Sequence, residues 1–170
     1  MTYSLELGDN STIKMKLYRN VKNVAELRQK ILNRTLDCCI TKPSLIVDPF
    51  QVVVAANKAV VAEKLTTKSI YSEILFNLSI SKNITQSLQK FGIDDKEREI
   101  LVVVVERPND GNDCEVVFRQ IDGEEIDVSR LEELANLQEI KKVYKLSDLE
   151  FEHLPMLNSV VSRIAGKEFL

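Results

Sequence analysis

Histidine occurs once in this chain, as His153 within DLEFEHL, and any serine- or cysteine-based catalytic device would have to be built around it. Such a device needs a nucleophile and an orienting group within hydrogen-bond reach of the base. An acidic stretch is a poor setting for that, and His153 reads as a surface residue. Carboxylates occur as adjacent pairs, Asp94 with Asp95 and Glu124 with Glu125. Neighbours on one element do not flank a common substrate, so these read as turn and surface charges. The five glycines, at 8, 92, 111, 123 and 166, are never closer than 12 residues. That spacing leaves neither a GxGxxG turn nor a GxxxxGK loop to cradle phosphates. Cys38 and Cys39 are adjacent and Cys114 is remote, which makes neither a disulfide framework nor a zinc ligand set. Reduced, structural thiols are expected. No catalytic residue, metal site or cofactor emerges, and a binding module is the expected class.

Charge supplies a second kind of chemistry. The net charge of -3 hides an asymmetry: residues 1–70 hold 11 Lys or Arg against 6 Asp or Glu, and residues 71–170 hold 12 against 20. Lys14, Lys16, Arg19, Lys22, Arg28, Lys30, Arg34 and Lys42 lie in the positive half. Clustered Lys and Arg are what phosphate contacts require, although ordinary solvated faces carry such runs too.

The elements that must position these groups follow from periodicity. IKMKLY, 13–18, alternates Ile13, Met15 and Leu17 with lysines, the signature of a half-buried strand, with SLEL as its partner. Asn23 and Glu26 form a capping-box pair ahead of Val24, Leu27 and Ile31, predicting a basic helix to about Arg34. Asp48 and Pro49 open a helix through FQVVVAANKAVVAEKL that is apolar on nearly every side, interrupted by Asn57 and Lys58. EILFNLSI, 73–80, reads as a strand with Ile74, Phe76, Leu78 and Ile80 on one face. NITQSLQKFGI, 83–93, reads as a short helix capped by Asn83 and closed by Gly92 in the left-handed conformation. EILVVVVE, 99–106, is apolar without alternation, as in a strand covered on both faces. RPNDGND is a loop, and EVVFRQI, 115–121, fits strand or helix. Ser129 and Glu132 cap a helix bearing Leu131, Leu134 and Leu137, and EIKKVYKL continues in helical spacing. From Pro155 to about Gly166, Leu157, Val160, Val161 and Ile164 recur at i, i+3, i+4 and i+7, ahead of a terminal Phe169 and Leu170.

The fold class is therefore α/β, a single compact domain over 1–170 with a small mixed β-sheet covered by several helices. With no long apolar run and no basic–apolar leader in MTYSLELGDN, a soluble intracellular protein is expected.

Five stretches in this order, VKNVAELRQKIL, IVDPFQVVVAANKAV, SEILFNLS, NITQSLQKFGI and KKVYKLS, together resemble the TPRKB family. Its members bind the atypical kinase PRPK within the KEOPS complex, also called EKC. The similarity covers nearly the whole chain. It implies a non-catalytic adaptor with a compact α/β fold that binds the kinase's N-terminal lobe, in a complex that makes N6-threonylcarbamoyladenosine on tRNA. Family members also help recruit tRNA, archaeal relatives through its 3' CCA end, and the transferase chemistry belongs to another subunit. The stripe of Leu157, Val160, Val161 and Ile164 is then expected either to close the domain's own core or to contact the kinase, rimmed by Arg163 and Lys167, with Phe169 and Leu170 beyond. The candidate surface for a tRNA contact is the basic half together with Asn57, Lys58, Lys64 and Lys68, the other reading being that these lysines solvate the end of a buried helix. A location in cytoplasm and nucleus is expected, with other KEOPS subunits as indirect partners and no membrane or small-molecule partner. The stretch RPNDGNDC and the connection KLTTKSIYSE, with Lys68 where arginine is the family residue, depart from the family pattern. The alternative reading is a stand-alone small-molecule enzyme or regulator whose site is built from dispersed residues.

Overall fold

The computed structural model describes residues 2–108, 111, 113–153 and 155–170, with all of their side chains except those of 152 and 153. The reading of the His153 side chain thus lies outside the description, as do residues 109, 110 and 112 of RPNDGNDC. The chain runs through β1 (Tyr3–Glu6), β2 (Thr12–Arg19), α1 (Val24–Leu32), β3 (Cys39–Thr41), α2 (Pro49–Val61), α3 (Ile70–Leu78) and α4 (Ile84–Phe91). It continues through β4 (Ile100–Glu106), α5 (Cys114–Phe118), β5 (Glu124–Ile126), α6 (Leu131–Leu134), α7 (Leu137–Val143), α8 (Asp148–His153) and α9 (Met156–Ala165).

The strands form one sheet in the order β1-β2-β4-β3, with β5 added beside β2 past the end of β1. The sheet is antiparallel at every pairing, where a mixed one was expected. The helical excursion between β3 and β4 returns the chain running against both of its neighbours, so no parallel pair arises. β4 is the middle of the structure. Its Leu101, Val103 and Val105 join Ile13, Met15 and Leu17 under α2, α3, α7 and α9, whereas Ile100, Val102 and Val104 face α1 and α5. Cover on both faces is why ILVVVV shows no polar alternation. The lysines of β2 lie on the thinner side, where Lys14 pairs with Glu106 at 2.7 Å and Lys16 sits over the Phe118 ring.

α2 starts as the sequence dictates: the Asp48 carboxylate accepts from Phe50 N at 2.9 Å and Pro49 takes the first turn. The helix stops at Val61, short of Lys64. The segment 73–80 is a correction, because Ile70–Leu78 is helix. Ser69 and Ser72 form a reciprocal capping box, a start signal that outweighs the apparent alternation. Nearly every side of α3 is buried, and its polar side chains are satisfied within the fold. Asn77 donates to the Ala55 carbonyl of α2 at 3.0 Å, and the Glu73 carboxylate accepts from the amides of Thr66 and Thr67.

Other local expectations are also revised. Asn23 does not cap α1; its amide oxygen accepts from Asp122 N and its NH2 donates to the Gln120 carbonyl, tying that helix to a remote loop. The ambiguous 115–121 segment is α5. Asp127, not Ser129, caps the turn before α6, and Leu137 opens a separate helix capped by Asn136. Asn83 caps α4 by accepting from Gln86 N at 3.0 Å. Gly92 after it is extended, not left-handed. Its requirement is space: a Cβ there would lie 2.5 Å from the Leu88 carbonyl oxygen.

A buried polar node joins three parts of the main core. The Gln51 amide donates to Leu45 O at 3.1 Å and to Tyr144 Oη at 2.8 Å, its oxygen accepts from Val47 N at 2.8 Å, and the Tyr144 hydroxyl donates to Leu78 O. Replacing Tyr144 by phenylalanine strands a Gln51 proton and the Leu78 carbonyl, at an expected cost of about 1–3 kcal/mol. The readout is a lower urea midpoint at unchanged m value; an unshifted midpoint removes this node from the account of stability.

Candidate functional site

α9 packs beside α2 over the main core. Its apolar stripe is divided by that packing. Val160 and Ile164 are fully enclosed in the core, while Leu157 and Val161 are half-buried on the outer side. Val160 and Ile164 therefore seat the helix and offer no surface of their own. Large apolar groups do remain exposed on α2, where Phe50 is 46% and Val61 53% accessible, with Val54 between them half-buried. Positions 50, 54 and 61 share a helical face. Sequence reasoning missed these residues because α2 is apolar all round, so its periodicity gave no sign of which side lacked cover.

Arg163 is not a free rim residue. Its guanidinium makes a two-pronged contact to Glu150 at 2.6 and 2.7 Å, which holds the Glu150 carboxyl down at about 2. The segment after α9 is held by lysines. Lys58 of α2 donates to Ile164 O at 2.9 Å and to Glu168 at 2.8 Å, and Lys82 donates to Leu170 O at 2.9 Å. Lys167, expected as rim, points inward, 3% accessible. Its ammonium donates to the Phe76 carbonyl and lies over the Phe76 ring. Burial brings its pKa down to about 8, Lys58 adds to the fall, and Glu168 and Glu73 oppose it. Between these anchors Phe169 is left 91% accessible, and Leu170 is 59% accessible.

Of the four residues expected at a tRNA contact, two are already engaged within the fold. Asn57 accepts from Gly8 N at 2.8 Å, fastening the β1–β2 turn to α2, and Lys58 is committed to the C-terminal segment. Lys64 and Lys68 are exposed on the connection that Glu73 pins from inside. A different basic feature lies across the α3–α4 junction: a groove of about 1000 Å³ lined by Ser79–Lys82, Gln86, Gln89, Lys90, Val143–Lys145, Arg163 and Leu170. A shallower depression along α7 shares Lys145 with it and adds Lys141 and Lys142. These cations sit in the half of the sequence whose net charge is negative, which concealed them.

Two groupings of reactive side chains are engaged within the fold. Glu106, Asp113 and Cys114 bring ligand atoms within 4.8 Å of one another, but Lys14 already neutralises Glu106 and burial pushes the Cys114 thiol up. Cys38 and Cys39 are buried, and the Cys38 thiol is pushed up to about 12, which keeps it protonated and inert.

Comparison with known proteins gives a consistent result. The family model described as kinase binding protein CGI-121 matches residues 18–168. The protein named EKC/KEOPS complex subunit TPRKB from Danio rerio is 36% identical over 171 aligned positions, spanning 99% of this chain and 98% of that one. EKC/KEOPS complex subunit cgi121 from Aspergillus fumigatus is 31% identical over 81% of this chain and 78% of its own length. The subunit of the same name from Schizosaccharomyces pombe is 26% identical over 95% and 96%.

Lys167 sets a pH dependence with a defined sign. Its pKa of about 8 lies below the ordinary 10.5, so folding penalises the protonated form. The penalty is complete below pH 8, fades as pH rises towards 10.5, and is absent above it. The stability of the parent chain relative to Lys167→Met should therefore rise across that window in urea titrations at stepped pH. A pH-independent difference contradicts the assignment.

Proposed function

The chain belongs to the CGI-121 family of kinase-binding proteins, and on that premise we propose that it is a non-catalytic adaptor subunit of the KEOPS/EKC complex. In this reading it docks the N-terminal lobe of a PRPK-type atypical kinase and helps bring tRNA to the complex for N6-threonylcarbamoyladenosine formation. Near full-length identity to a protein named as a KEOPS subunit supports the assembly. The observation that carries the docking surface is the division of α9. With its inner residues spent on the core, α9 keeps Leu157 and Val161 half-buried, and α2, against which it packs, leaves Phe50 and Val61 to solvent. Protein interfaces are anchored by a few large apolar groups set in a polar rim, and this face has that composition. Phe169, held out between the contacts of Glu168 and Leu170, is a further exposed apolar group after α9.

Aspartate at both Phe50 and Val161 should weaken kinase binding at least ~30-fold, about 2 kcal/mol, with the circular dichroism spectrum and melting temperature of the parent. Co-purification and calorimetry with the kinase read the effect. Retained affinity in a folded double variant rejects this face, and failure of the parent chain to bring down a kinase rejects the adaptor reading itself.

A further inference from the structure

The two sides of the sheet end differently. Outside β3 the chain closes the edge itself: Thr41 bridges to Gly92, Lys42 N donates to Phe91 O at 3.2 Å, and the Thr41 hydroxyl donates to the same carbonyl at 2.7 Å. Outside β1 the edge is open. Where the β1–β2 hairpin turns, Leu7 N donates to Ser11 O at 2.8 Å, which makes these two a hydrogen-bonded pair. Such pairs alternate along an antiparallel ladder, so Leu5 with Ile13 and Tyr3 with Met15 are the next ones. The N–H and C=O groups of Ser4 and Glu6 therefore point away from β2, and among the described residues nothing bonds to them.

We propose that this open edge pairs with the same strand of a second copy of the chain, antiparallel about a two-fold axis at Leu5. The inference does not depend on the adaptor reading. Ser4 of one copy then exchanges two backbone hydrogen bonds with Glu6 of the other, and Glu6 with Ser4, joining two sheets into one. Side chains favour the strand's own copy as occupant. Tyr3, Leu5 and Leu7 share the face that carries Ile13 and Met15, and Leu5 is 41% accessible. In this register Leu5 meets Leu5 and Tyr3 meets Leu7, so every pair on that face is apolar. On the opposite face Glu6 meets Ser4, and no like charges are opposed. Moving the axis to Glu6 would set two carboxylates against each other, and moving it to Ser4 would carry Leu7 past the start of the partner strand. β1 also lacks the lysine or proline that keeps an edge single, whereas β5, which continues this side of the sheet, has Glu124 and Glu125 to repel a copy of itself. At the end of the apolar row Gly8 is bonded to Asn57 and lies against Val61 of α2, itself 53% accessible, so the row continues onto a helix. Because the β3 edge is closed, the contact is isologous and stops at two copies.

A four-residue strand makes a small contact, so the full chain is followed by sedimentation and amide exchange from ~1 to ~500 µM. The mass should climb from that of one 19.4 kDa chain towards two, and exchange at the Ser4 and Glu6 amides should slow with it. Ser4→Pro removes an outward N–H and no bond to β2, and should weaken pairing at least ~10-fold at the parent's melting temperature. Leu5→Asp sets two carboxylates across the axis and should do the same; mixed with Leu5→Arg, it should form a one-to-one pair that neither variant forms alone. That mixture decides the matter if the proline variant fails to fold. Phe50→Asp should leave pairing intact. A parent that stays monomeric at ~500 µM overturns the proposal. So does a dimer that survives in folded Ser4→Pro and Leu5→Asp, one lost with Phe50→Asp instead, or a charge-reversed mixture that does not pair. A monomeric parent whose Ser4 and Glu6 amides become protected only on adding the kinase assigns the edge to that partner and rejects the second copy.

Discussion

β4 must be covered on both faces, and most of the architecture answers to that requirement. Six successive residues, Ile100 to Val105, are buried, alternating between the two cores. Each is worth about 1.5–3 kcal/mol only if apolar groups meet it on its own side. One side is met by α2, α3, α7 and α9, the other by α1 and α5. The division is unequal, and the surfaces left without cover follow the thicker layer. α2 and α9 lie there with more apolar surface than the sheet can cover, and the α3–α4 junction is where neighbouring helices diverge into a groove.

That layer also explains the lysines. A chain with a basic first half invites the view that its cations await a polyanion, but three are spent on holding the segment after α9. Lys58 and Lys82 reach out to it, and Lys167 reaches from it into the core. A lysine that donates to the carbonyls at a helix end is favourably placed against the helix dipole, which suits Lys58 at Ile164. Salt-bridge counting would miss the arrangement, since several acceptors are backbone oxygens.

The sequence discloses whatever is decided within one turn or one strand. Asp48 with Pro49 announces α2, the lysine alternation announces β2, and the unbroken ILVVVV run announces a two-sided strand. It misleads where tertiary contact takes over a local signal. Asn23 looks like a cap and is a tether to Gln120 and Asp122, nearly a hundred residues away. Ile74, Phe76 and Leu78 look like one strand face because α3 is buried nearly all round. The α9 stripe is legible as apolar, yet which two of its four residues meet the core depends on how α2 lies against it. The groove is least legible of all, since its walls come from 79–90, 143–145, 163 and 170, and charge averaged along the chain erases what folding concentrates.

The order of the sheet has a kinetic side. β2 must find β4 with Thr12 opposite Glu106, and β3 must find the same strand with Cys39 opposite Val103, so the pairings that define the fold close very long loops. Loop closure costs entropy before any contact compensates it, and such topologies fold slowly. The β1–β2 hairpin is local but too small and exposed to persist alone. The helices formed along the excursion from α2 to α4 can assemble earlier and present a platform on which β4 nucleates. Until that strand arrives, the apolar surface of α2 stands open on its core side as well as its outer one, and the partly folded chain is at its most adhesive.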